Sequence, residues 1–228
     1  MASPSPAVHA VANLLIRFAI GVTFIWSGFG KLVGDVNFAP AEQQTLAAMG
    51  TTLVPSEPTE TAIEADSYRG RRLFKIAVLV HNAANPTPAA EGEPSPRPYW
   101  PDWAARGGTP VLLAWAVAIT EAIAGVLLLF GALTRISALV AASTMVAAAW
   151  LTQIGPYVSK GDALLGFLPN HQPWHDPALW SAPLWQLLIF CASLALVFTG
   201  AGAASLDGAL GARYEDEFAD DAEEEEDD

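Results

Sequence analysis

Cysteine, histidine and net positive charge are all scarce in this chain of 228 residues. The lone cysteine, Cys191, cannot close an intrachain disulfide, and without a CxxC pair a dithiol redox centre is excluded. Its apolar surroundings make it a small hydrophobic side chain. The four histidines all fall outside the middle of the long apolar stretches, which argues against haem ligands projecting into a helix bundle. His171, His175 and Asp176 in HQPWHD have a spacing that a helix could use for a metal, but Pro173 and the loop-like context speak against it, and no metal is expected. No glycine-rich loop carries the lysine and hydroxyl that hold nucleotide phosphates. With 11 basic residues against 24 acidic ones, the formal charge of -13 disfavours nucleic acid, whose binders must neutralise phosphates.

What is present is apolar: 52% of the residues are hydrophobic. The negative charge is concentrated in the last 16 residues, Arg213 to Asp228, which hold eleven acids and one base. The rest is nearly neutral, and the 30 residues from Pro177 to Leu206 contain no Asp, Glu, Lys or Arg. A helix needs roughly 20 mostly apolar residues to cross a hydrocarbon core about 30 Å thick. Four stretches meet that length, near residues 11–32, 111–133, 136–155 and 179–200. A soluble helical protein would need polar faces that these stretches lack, and a β-barrel would need alternation that their continuous runs do not show. The expected fold is therefore an all-α membrane protein, a four-pass transmembrane helix bundle with a long first loop. Its membrane domain spans residues 1–212, and a disordered acidic tail follows over 213–228, where like charges repel and little apolar area is available.

Tryptophan gives a separate test, because indole favours the membrane interface. With four passes, Trp26, Trp100, Trp103, Trp115, Trp150, Trp174, Trp180 and Trp185 all fall towards the side opposite the N-terminus. Both termini are then on one side. The positive-inside rule does not decide which side that is: Arg17, Arg135 and Arg213 stand against Lys31, Arg106 and Lys160.

The loop of residues 33–110 turns to Pro, Glu, Ser, Thr and Ala. Residues 37–49 suit a short helix, and 55–64 read as irregular. RGRRLFKIAVLVH, residues 69–81, is too short to cross, so it either lies in the membrane interface or packs on the bundle as a lid with a solvated basic end. The proline-rich stretch 85–103 reads as an extended surface crossing that ends in aromatic anchors.

Two charges lie inside the passes. Glu121 is preceded by fourteen uncharged residues and followed by thirteen, and Arg17 interrupts the first pass. A bare charge there is expensive. The pair is open to three readings: a structural ion pair, a ligand or proton site, or a contact with a partner subunit. Arg135 can turn inward to the same region or snorkel to lipid phosphate, and Lys31 marks the opposite interface. Small residues, among them Gly21, Gly30 and Gly125, would let helices approach closely. No catalytic residue is assignable.

The chain resembles the DoxX family of small membrane proteins, including DoxD-like subunits associated with thiosulfate:quinone oxidoreductase. The resemblance rests on Arg17, Gly21 and SGFGKL (27–32), on Glu121, Gly125 and LLLFGALTR (127–135), and on GAGAASLD (200–207). It implies a multi-pass protein of the cytoplasmic membrane with cytoplasmic termini, and it singles out Arg17, Lys31, Glu121 and Arg135. It also implies an accessory subunit of a respiratory or sulfur-linked oxidoreductase, meeting an oxidoreductase partner in the lipid bilayer, with a homo-oligomer left open. No cofactor is expected on this chain, and a quinone would sit in a helix groove or in the partner complex. The large insert after the first pass departs from short family members. The rival readings are a small proton-coupled transporter using Glu121 and a membrane scaffold whose basic loop and acidic tail recruit soluble proteins.

Overall fold

The structure, a computed structural model, describes residues 6–55, 67–88 and 95–211. The acidic tail over 213–228, most of the 55–64 stretch and part of the proline-rich crossing lie outside the described residues.

Among the described residues, four helices are long and apolar enough to cross a membrane: Val8–Val33, Thr109–Phe130, Thr134–Lys160 and Pro177–Thr199. They belong to α1 (Pro6–Val33), α4 (Thr109–Phe130), α5 (Thr134–Ala149) with its continuation, and α7 (Pro177–Thr199). The protein is mostly helical, as a four-pass membrane protein requires. The third span is longer than the stretch legible before Pro156, because the helix does not stop there. A π-helical turn, Trp150–Ile154, leads into α6 (Gly155–Lys160), with Pro156 in its first turn. A proline removes one helical N–H and crowds the preceding turn; a wide π turn just before it accommodates that loss without ending the span.

The chain divides into two compact units, and each long helix runs from one into the other: residues 1–26, 121–143 and 188–228 form the first, and 27–120 and 144–187 the second. In the first unit, α1 and α4 meet through paired glycines. A Cβ on Gly21 would lie 2.9 Å from the Gly125 carbonyl oxygen, and one on Gly125 would lie 2.6 Å from the Ile25 nitrogen. Phe24, Leu128 and Leu196 are fully buried around this unit's core. Gly30, by contrast, faces open space and permits no close contact.

The second unit contains a small sheet that the sequence pattern did not disclose. The strands β1 (Asp35–Phe38), β2 (Val54–Pro55) and β3 (Tyr68–Arg71) pair antiparallel in the order β1-β3-β2, with Asp35 opposite Arg71 and Val54 opposite Arg69. Between them, α2 (Pro40–Ala48) starts with Glu42 accepting the Ala39 N–H at 2.8 Å, half of a capping box. α3 (Phe74–Ala84) packs within this unit. Its Ala77, Val78, Val80, Ala83 and Ala84 are buried, and it packs with Phe38, Leu46, Met49, Leu73, Ala114 and Ala118. The basic residues around its start are largely used inside this unit. Arg69 pairs with Asp35 at 3.1 Å, Lys75 with Glu42 at 2.7 Å, and the Arg71 guanidinium stacks over Trp115 at 5.2 Å. Seven of the eight tryptophans belong to this unit, and Trp26 is the last residue of the first unit before α1 passes into it.

Candidate functional site

The first unit contains a polar centre built on one face of α1. Asn13 and Arg17 are four residues apart, so both project from the same side of the helix. Both meet the strap of residues 199–208 that follows α7. The last turn of a helix leaves carbonyls without partners, and Asn13 supplies one: its Nδ2 donates to the Gly200 carbonyl at 3.2 Å, while Thr199 Oγ1 donates to Asn13 Oδ1 at 3.3 Å. Gly200 and Gly202 both take φ of +76°, left-handed positions where a side chain is disfavoured. They turn the chain back over α1.

Arg17 is 1% exposed and donates from Nη2 to the Ala204 carbonyl at 2.5 Å. Its Nε and Nη1 are buried without a hydrogen-bond acceptor among the described residues. The guanidinium occupies the space beside Gly131, whose absent Cβ would collide with Nη1. Gly131 also ends α4. It is left-handed (φ +68°), its N–H reaches Leu128 O and the Ala132 N–H reaches Leu127 O, the pairing of a Schellman turn.

Asp207 completes the centre from the C-terminal side. Its Oδ1 accepts the Leu133 N–H at 2.8 Å and its Oδ2 the Thr134 N–H at 2.9 Å, so a residue more than seventy positions away caps the start of α5. Its own N–H donates to the Gly131 carbonyl at 3.0 Å. A carboxylate at a helix N-terminus also meets the positive end of the helix dipole. Burial pushes the Asp207 carboxyl up, but the hydrogen bonds from Thr134 and Leu133 and the Arg17 charge outweigh it and hold the group below the ordinary aspartate range. A groove of about 600 Å³ opens beside this cap, lined by Leu133, Thr134, Arg135 and Ile136 on one wall and by residues 199–203 with Asp207 and Gly208 on the other.

Arg135 is exposed on this groove, and a Cβ on Gly200 would stand 3.4 Å from its Nε. Glu121 belongs to the same unit as Arg17 and is 3% exposed. The charge that faces Arg17 is Asp207, a residue that reading by spacing did not select. Lys31 belongs to the second unit, where its Nζ donates to Ser27 Oγ at 2.9 Å. The structure thus brings together Arg17, Asn13 and Asp207, with Arg135 on the adjoining groove. The one signal for Asp207 in the sequence is that it is the first charge after the 30 uncharged residues ending at Leu206.

Chemically this centre holds backbone in place. A guanidinium stays protonated in proteins and does not shuttle protons, and the Asp207 carboxylate is committed to two backbone N–H groups. Elsewhere, His171 Nδ1 and the Tyr157 hydroxyl are hydrogen-bonded at 2.9 Å, and the imidazole meets the edge of Trp180. Among the described residues, no three His, Cys, Asp or Glu side chains gather in a way that could hold a metal ion.

The helix pair running into this centre is where a known family is matched. Residues 99–154 match the DoxX family. The matched stretch is about a quarter of the chain; it begins at Tyr99, takes in α4, α5 and the π turn, and includes Glu121 and Arg135. Within the DoxX region Tyr99 anchors the π turn, accepting the Trp150 indole N–H at 2.8 Å and lying against Gly155. Arg17, Lys31 and Asp207 lie outside the matched residues. Neither curated proteins nor solved structures yield a match.

Proposed function

We propose that this chain is an integral membrane accessory subunit of a respiratory or sulfur-linked quinone oxidoreductase and is not catalytic by itself. The observation that carries this reading is the commitment of the centre's charges to architecture. Arg17 and Asp207 hold a strap and a helix start, and the centre's Asn13 closes a helix end. The DoxX domain supports the oxidoreductase setting.

A quinone would need a donor at a carbonyl oxygen and an apolar wall for its ring. The groove residues meet that need at one carbonyl: Arg135 supplies the donor, and Leu133 and Ile136 the wall. When bound, the quinone supplies the electron chemistry. Arg135 orients it, and the neighbouring apolar side chains exclude water.

Purification in mild detergent tests the proposal. The chain should bring down a cofactor-bearing protein, and its deletion should lower quinone-linked electron transfer in membranes. A chain recovered alone, together with full activity in the deletion strain, would defeat it. Glu121, buried in the middle of α4, favours a second reading as a proton-coupled carrier. Sealed vesicles containing the chain would then acidify in response to solute, and Glu121→Gln would abolish the response.

A further inference from the structure

Between the third and fourth spans the chain makes a tight hairpin whose composition is inverted relative to its geometry. Leu164 and Leu168 form a bridge, with N–H to O distances of 2.8 and 2.9 Å in the two directions, and the Phe167 N–H returns to Leu164 O at 3.2 Å. The bridge encloses residues 165–167, and within it the Leu164–Phe167 turn has Leu165 and Gly166 at its centre, with φ of +53° and +81°. A β-turn with both central residues left-handed is dominated by Gly, Asn and Asp, and a bulky residue with positive φ is an outlier. Here the first position is leucine. Its side chain is 83% exposed, with Leu164 and Phe167 exposed beside it. The base of the hairpin is polar: Asn170 Nδ2 donates to Asp162 Oδ1 at 2.8 Å, and Gly161 closes α6 just before it. The result is a hydrogen-bonded loop with a polar foot and an apolar tip.

The foot fixes where this tip can be. The third span ends at Lys160, and Leu165 is five residues further on, a reach of at most about 18 Å even fully extended. Lysine at a helix end extends its ammonium to the headgroups, and an apolar surface held there buries about 5–10 Å into the headgroup and acyl boundary. We propose that the 161–170 hairpin is an interfacial anchor whose Leu164, Leu165 and Phe167 insert into the lipid of the same bilayer, continuous with the lipid-facing surface of the spans. This rests on the four-pass reading and not on any oxidoreductase role.

The test uses the full chain with Cys191→Ala, carrying Leu165→Cys labelled with an environment-sensitive fluorophore and reconstituted in phosphatidylcholine vesicles. Leu188→Cys, exposed on α7, serves as the lipid-facing reference. The label at 165 should lose emission to nitroxide-bearing lipids as the reference does and should keep its emission in iodide. Phe167→Cys gives a second reporter should the turn not tolerate the first. Quenching by iodide would overturn the proposal by placing the tip in water. Quenching by neither agent would overturn it by placing the tip against protein, either a second copy or a partner subunit.

Discussion

At Gly131 a single missing methyl decides whether Arg17 fits. Alanine there would have to occupy the guanidinium's place and adopt a left-handed backbone, which alone costs about 1–2 kcal/mol. Gly131→Ala should therefore lower the melting temperature in detergent and speed amide exchange over residues 200–208, where the displaced Arg17 releases the strap. Unchanged exchange would show that Arg17 does not hold it. Asp207 makes a prediction in pH. Its folded value lies below the ordinary 3.8, so the folded protein holds the carboxylate more readily than the unfolded chain. The stability this contributes is complete above about pH 4 and is lost as pH falls through the lowered folded value. The gap in melting temperature between the wild type and Asp207→Asn should be level near neutrality and close only in strong acid. A gap that widened on acidification would contradict the cap.

Among the elements, the glycine pair between α1 and α4 separates close contact from mere smallness. Gly125→Ala must push against the Ile25 backbone, an overpacking that typically costs about 1–3 kcal/mol. Gly30→Ala meets nothing and should stabilise α1 by roughly 0.5–1 kcal/mol through helix propensity. Thermal unfolding of both variants in one detergent checks the opposite signs. The spans were legible in the sequence because membrane helices announce themselves by length and continuous apolarity. Pro156 hid the end of the third, since the π turn that tolerates it has no composition of its own. The small sheet was illegible for a different reason: strands reading DVNF, VP and YRGR are too short to alternate, and only tertiary pairing makes them strands. The basic residues of the 69–81 stretch suited either a lipid surface or a packed lid; Arg69, Arg71 and Lys75 meet partners within the same unit that lie far away in sequence. Arg17 was recognisable as a buried charge from its place in a pass; the approach of Asp207 could not be, because the strap turns on Gly200 and Gly202 and nothing local measures that distance.

At the scale of the molecule, the four spans organise what each segment meets. Seven tryptophans, the sheet and the apolar hairpin share one unit, whereas Arg17, Arg135, Asp207 and the turn between α4 and α5 share the other. If all four candidate spans cross, the N-terminus and the chain after α7 share one membrane face. The most direct measurement is the sidedness of both ends in intact cells or oriented vesicles, read by impermeant labelling of one cysteine added at residue 2 and, separately, one added after residue 211, each with Cys191→Ala. Equal accessibility at the two ends, lost or gained together when the vesicles are inverted, is the expected result. Labels on opposite faces would mean an odd number of crossings and would contradict the four-pass account.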